Sequence, residues 1–231
     1  MQTLLSWGDQ GWLDDIFGGV LVTVQLALAT LPVGLLLGFL IALAKQSAEP
    51  TLRIAGSVYT TIFRGLPELL TLFLIYFGVA LPIFTYFFHG ASDQVTSFIA
   101  GMIALSLVFS SYASEVFLSA FRAIPRGQYE GGYSVGLSNG QTMRLVVLPQ
   151  LVRIALPGLS NLWLILLKDT ALVSAIGLAD ILRQTQIAAR VTKEAFLFFG
   201  FACLVYLVLA IISSYGIGQI EKAVGRQDMA K

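Results

Sequence analysis

The sequence predicts an all-α membrane protein with five transmembrane helices, and three observations carry that expectation. Apolar residues make up 57% of the 231. Only 12% are charged, about half the share of an ordinary soluble domain. The charges also gather between long charge-free blocks, so most of the chain suits lipid rather than water. A composition this apolar excludes a solvated disordered chain.

Charge-free runs occupy residues 16–44, 69–88, 94–114 and 195–220. Each reaches the ~20 residues that a helix needs to cross ~30 Å of hydrocarbon. A fifth block, 154–179, is long enough but is interrupted by Lys168 and Asp169. It reads as a span with a functional interruption, or as a broken helix, which a membrane tolerates only where the backbone is covered by protein or lines a wet cavity. With their flanking turns the spans are expected at 16–44, 64–88, 94–118, 154–179 and 195–220, and residues 1–231 form a single membrane domain. Pro32, Pro82 and Pro157 fall inside apolar runs, where a missing backbone donor kinks a helix. Proline is also simply commoner in membrane helices than in soluble ones.

Five crossings put the two ends on opposite sides of the membrane. The segments after the first and third spans, together with the tail, hold ten basic residues: Lys45, Arg53, Arg64, Arg122, Arg126, Arg144, Arg153, Lys222, Arg226 and Lys231. The other side has only Arg183, Arg190 and Lys193, beside an acidic start of Asp9, Asp14 and Asp15. The positive-inside bias therefore sets the N-terminus outside and the C-terminus in the cytoplasm. The acidic start and the long first run argue against a cleaved signal peptide.

A net charge of +1 with scattered basic residues excludes a nucleic-acid partner, which needs a dense basic patch. One cysteine, Cys203, forms no intramolecular disulfide, and with one histidine, His89, it builds no Cys/His metal site. No G-x-x-x-x-G-K-[ST] or G-x-G-x-x-G string occurs, so neither a nucleotide nor another cofactor is expected on this chain.

The cytoplasmic segment 122–150 is too polar to span and too apolar to dangle. Pro125 and Gly127 mark a turn; Tyr129, Tyr133, Leu137, Met143 and Val147 then recur near helical spacing, which predicts a short amphipathic helical pair outside the bilayer. Such a pair docks on another protein or lies on the headgroups.

Its residues carry a resemblance. Glu130-Gly131-Gly132, three residues, Gly136, nine residues, Val146, one residue and Leu148-Pro149 resemble the E-A-A-x3-G-x9-I-x-L-P pattern of the membrane subunits of ABC importers. Glycines replace the two alanines, and each weakens a helix by about 1 kcal/mol relative to Ala. The stretch from Arg64 to Leu69 is similar to the R-G-x-P-x-L segment of the polar amino acid subfamily, Ser111 to Glu115 to its A-Y-x-x-E, Ile124 to Glu130 to its I-P-K-G-Q-x-E, and Leu167 to Leu172 to its L-K-x-[ST]-[AS]-L. Within that subfamily the chain most resembles permeases for histidine, arginine, ornithine and opines. The resemblance implies a five-span permease of the type I ABC importer fold in a bacterial inner membrane. It pairs with an identical or homologous permease, engages two ATPase subunits through a coupling helix, and receives substrate from an extracytoplasmic binding protein. ATP hydrolysis then belongs to the partner, and Glu130, Gly131, Gly132, Gly136, Leu148 and Pro149 form the coupling segment.

Asp169 is the sharpest single candidate for substrate binding, because a carboxylate in a span costs a few kcal/mol and is rarely left facing lipid. Its neighbour Lys168 points about 100° away around a helix and reads as structural. Arg64 and Glu68 have the i,i+4 spacing of an ion pair at the start of the second span. Glu115 is expected to make a local cap or pair, with Arg122 within reach. The aromatics Tyr76, Phe77, Tyr86, Phe87 and Phe88 read first as an interfacial belt. Cationic-substrate members of the resembled family often carry an acid seven positions before Asp169, where this chain has Leu162. Two other readings are an ion-gradient-driven transporter or channel using Asp169, and an intramembrane hydrolase pairing Ser160 or Ser174 with Lys168. Six residues separate Ser174 from Lys168, about 240° around a helix, so the latter ranks last.

Overall fold

Lipid offers the backbone no hydrogen bonds, so a chain this apolar satisfies its amides within helices. The computed structural model describes residues 4–8, 11–87 and 92–226. Among the residues carrying the expectations above, Asp9, Phe88, His89 and Lys231 lie outside this set. Among the described residues, five helices are long and apolar enough to cross a membrane. The first is α1, Leu13–Gln46. The second comprises α3, Glu68–Ile75, a π-helical turn at Tyr76–Ala80, and α4, Leu81–Phe87. The third is α5, Asp93–Ala123, capped by Ser92, whose hydroxyl accepts the Val95 amide. The fourth is interrupted in geometry as well as charge. Its α8, Leu148–Asp169, gives way immediately after Asp169 to a 3-10 segment, Thr170–Ile176, closed by Gly177 at φ 88°. The fifth is α10, Ala195–Arg226.

Two segments between the spans differ from the expectation. Residues 50–66 carry an additional amphipathic helix, α2, Pro50–Gly65. A search for charge-free runs passes over it because Arg53 and Arg64 stand on it. Extended backbone at Leu66 and Pro67 separates it from α3, as the restriction on residues preceding proline requires. In the segment 122–150 only α6, Arg126–Ser134, is an independent helix. Its expected companion, α7, Asn139–Thr142, runs through a π-helical turn at Met143–Val147 directly into α8. It is the foot of the fourth span rather than half of a detached pair.

The centre of the molecule is α5, which packs on α1, α2, α3 and α8. Small residues permit the close approach. An added Cβ on Gly38 of α1 would lie 2.8 Å from Ala113 Cβ and 3.0 Å from the Ser110 carbonyl. Two buried serines of α5 satisfy their hydroxyls on their own helix, Ser111 on the Val108 carbonyl and Ser114 on that of Ser111, and Ser106 donates across to the Thr30 carbonyl of α1, so they cross the core without orphaned donors. A smaller cluster joins Ile16 of α1, Ile181 and Ala188 of α9 (Ile181–Thr192), and Phe198 and Ala202 of α10. The outer face of α10 is apolar and open, with Phe196 95% exposed, as a helix facing lipid or another subunit would be.

Gly38→Val is expected to destabilise the fold by about 1–3 kcal/mol through overpacking. Gly18→Val, where nothing lies within 4 Å of an added Cβ, should change it much less. Thermal unfolding of the two purified variants in detergent checks this, and equal midpoints would refute the close α1–α5 contact.

Candidate functional site

Asp169 is the last residue of α8, half-buried at the change to 3-10 geometry. It lines a cavity with Glu68 of α3, walled by Leu105, Val108, Phe109 and Tyr112 of α5 and by Leu162, Ile165 and Leu166 of α8. Leu162, two helical turns before Asp169, shares its wall. The free space is about 10 Å³, room for roughly one water.

Glu68 of α3 is therefore a second carboxylate at this cavity, where its spacing in the sequence suggested only a partner for Arg64. The expected Arg64–Glu68 pair does not form, because the Leu66-Pro67 break puts the two on different helices. Arg64 Nη1 instead lies 3.5 Å from Glu115 Oε1, and its guanidinium stands 5.5 Å over the ring of Tyr112, the side chain that faces the cavity. Lys45, at the end of α1, donates to the same Glu115 oxygen at 2.5 Å and to Thr60 Oγ1 at 3.2 Å. Glu115 thus ties α1 and α2 to α5, where a local partner was expected. The break was legible in the Leu66-Pro67 dipeptide; the identity of the distant partners was not.

Lys168 is exposed and does not line the cavity. Ser160 donates to the Leu156 carbonyl at 2.7 Å and Ser174 sits in the 3-10 segment. Neither serine bonds to Lys168, so the hydrolase constellation is not assembled. Tyr76, Phe77 and Phe73 form a ring contact series around the π-helical turn, with Phe77 and Tyr86 exposed, as an interfacial or lipid-facing belt would be.

The residues 130–149 make a second, separate surface. Glu130, Gly131 and Pro149 are exposed, Leu148 is half-buried against the core, and Gly132 is buried. Gly136 has φ 84° and nothing within 4 Å of an added Cβ. It ends α6 in a Schellman turn, with its amide bonded to the Tyr133 carbonyl and the Leu137 amide to that of Gly132, a conformation that favours glycine. Close approach falls at Gly132 instead, where an added Cβ would come 2.6 Å from Thr142 Cγ2. The glycine that departs from the resembled alanine thus lets α6 lie directly on α7. Val135, at the tip, is 75% exposed.

Residues 34–224 match the family described as binding-protein-dependent transport system inner membrane component. The chain is 39% identical to the nopaline transport system permease of Agrobacterium fabrum, over 97% of each chain. It is 40% identical to the arginine ABC transporter permease of Haemophilus influenzae, over 91% of this chain and 93% of that one. Its fold matches a solved amino acid ABC transporter with histidines, at TM-score 0.78 and 31% identity over 92% of this chain and 95% of the other. A methionine ABC transporter in an inward-facing form shares the fold, at TM-score 0.73 and 16% identity over 90% and 95%. Permeases do not themselves catalyse ATP hydrolysis, and the five apolar helices are those of a multi-pass inner-membrane subunit. The chain belongs to the binding-protein-dependent transport system inner membrane components, the permease subunits of ABC importers.

Proposed function

We propose that this permease carries cationic polar amino acids or opines, and that Asp169 and Glu68 together receive the ammonium or guanidinium group. The observation that supports this most is the meeting of two carboxylates, 101 residues apart in the chain, at one narrow cavity with apolar walls. Like charges in a low-dielectric space repel, and a cation between them relieves that repulsion while forming charge-assisted hydrogen bonds. The relatives named for arginine, for nopaline, and for histidine, lysine, arginine and ornithine agree with such a substrate. Leu162 removes a possible third acid from the same wall, so the pair carries the selectivity, alone or with a second permease.

The remaining assignments follow from the same reading. The chain pairs with an identical or homologous permease, two ATPase subunits engage the surface of Glu130, Gly131, Gly132, Gly136, Leu148 and Pro149, and a binding protein delivers substrate from outside. The basic-residue asymmetry supports an extracytoplasmic N-terminus and a cytoplasmic C-terminus. Cysteines at Asn139 and Val191, in a Cys203→Ser background, are expected to react with an impermeant maleimide from opposite faces of the membrane. Labelling of both from one face would overturn the orientation. The function is tested by purifying the chain with its ATPase and binding protein in lipid. Binding protein loaded with a basic amino acid should stimulate ATP hydrolysis and uptake, and stimulation by neutral amino acids alone would refute the substrate class.

A further inference from the structure

The carboxylate of Glu115 lines a cavity of its own, with Val116, Ser119 and Ala120 of α5 and with Ile154 and Gly158 of α8. The space is about 380 Å³, within the ~300–1,000 Å³ of ordinary small-molecule sites. The cavity of Asp169 lies between the same two helices and α3. Its wall on α5 ends at Tyr112, where the wall at Glu115 begins one turn later; its wall on α8 ends at Leu162, one turn from Gly158. Residues three or four apart share a helix face, so the two cavities follow one another along a single furrow between α5 and α8. An added Cβ on Gly158 would fall 2.7 Å from Val116 Cγ1, which shows how closely the helices approach in the second cavity. From Asp169 to Gly158 is 11 residues, roughly 16 Å along the axis.

A guanidinium already stands at the junction. Arg64, in the last turn of α2, holds Nη1 3.5 Å from Glu115 Oε1 and its guanidinium carbon 5.5 Å from the centre of the Tyr112 ring. It therefore touches the last α5 residue of one wall and the first of the next. A carboxylate beside an aromatic face suits any ammonium or guanidinium group. Lys45 also meets Glu115, but the two cations are held differently. Lys45 is 2.5 Å from the oxygen with 10% of its side chain exposed, whereas Arg64 is at 3.5 Å with 46% exposed. A charge-assisted hydrogen bond forms at about 2.7–2.9 Å, and a longer, exposed ion pair is weak. Lys45 is the fixed partner and Arg64 the displaceable one.

We propose that Glu115 and Tyr112 form a transit site for the ammonium or guanidinium group of the substrate, and that Arg64 gates it by occupying that site as a stand-in. A cation leaving Asp169 and Glu68 along the furrow meets the positive charge of Arg64, which bars its way as an arginine bars cations in a pore. When the half-exposed Arg64 swings aside, the substrate takes over both of its contacts, and one cation replaces another at Glu115. A neutral solute gains neither contact. On the orientation proposed above, this step lies on the cytoplasmic side of Asp169. The transit role rests on the cationic substrate class of the proposed function; the site at Glu115 is what it adds.

Binding of radiolabelled L-arginine to the assembled transporter in lipid nanodiscs, without ATP or binding protein, reads the site directly. L-citrulline, with a urea in place of the guanidinium, is the uncharged control. Arg64→Ala removes the stand-in, so it is expected to tighten L-arginine binding about tenfold and to leave L-citrulline within about twofold. Glu115→Gln added to Arg64→Ala keeps an acceptor for Lys45 and should cancel the gain. Should either variant fail to assemble, Arg64→Gln replaces the first, and Tyr112→Leu, which removes the aromatic face, replaces the second and should reduce the gain. The gain should persist with Asp169→Asn and Glu68→Gln also present, because those carboxylates belong to the other cavity. Unchanged L-arginine affinity, an equal gain for L-citrulline, or a gain that survives the loss of Glu115 would overturn the proposal. A gain that disappears with Asp169 and Glu68 would place the cation in the first cavity, overturning the transit site while leaving the substrate class intact. Uptake driven by neutral amino acids alone, read in the separate transport assay, would refute the substrate class and the transit role with it.

Discussion

Asp169→Asn is expected to lower uptake of a basic amino acid by about 10- to 100-fold, the worth of one hydrogen bond to a charged group, while the complex still assembles. Asparagine keeps the shape and removes the charge, so the loss reports on electrostatics at the cavity rather than on packing. Glu68→Gln should do the same, because the two carboxylates face one space. The double variant should lose less than the product of the single losses, since groups that hold one cation are coupled. A neutral amino acid carried at a measurable rate should be affected least. Initial uptake rates in proteoliposomes, normalised to assembled complex, decide the matter. Unchanged uptake and preference in both single variants would leave these carboxylates a structural role only.

Gly136→Val is expected to abolish coupling while leaving the chain in the membrane. A β-branched residue at φ 84° opposes the turn by about 1–2 kcal/mol or more, and the end of α6 would shift relative to Glu130. Since nothing lies within 4 Å of an added Cβ, the effect comes from backbone conformation and not from crowding. That distinction is testable, because asparagine tolerates left-handed backbone better than other residues with a side chain. Uptake driven by the binding protein should decrease in the order Gly, Asn, Ala, Val at position 136, with ATP hydrolysis no longer following uptake in the last. Normal uptake by the valine variant would refute the coupling assignment of this surface.

The five spans were legible in the sequence because the constraint that makes them is local. Any ~20 residues without charge meet the thickness of the bilayer regardless of what they pack against. The helix α6 was legible for the same reason, because Pro125 and the apolar spacing after it are local signals, whereas the continuation of α7 into α8 was not. Asp169 stood out for a related reason, since a carboxylate inside an apolar run demands an explanation wherever the helix packs. The helix α2 escaped because its burial is one-sided and its charges interrupt any apolar run.

Tertiary structure decided which of these groups meet. Glu68 reaches Asp169 only because α3 and α8 both pack on α5, and Arg64 turns to Glu115 only because proline ends α2 before Glu68 can follow it. Lys45 joins that acid from α1, 70 residues away. Local composition fixes what a segment can cross or cap, because solvation acts on each residue separately. Partnership depends on helix crossings set by small residues such as Gly38, and a one-dimensional pattern does not state which helices those crossings join.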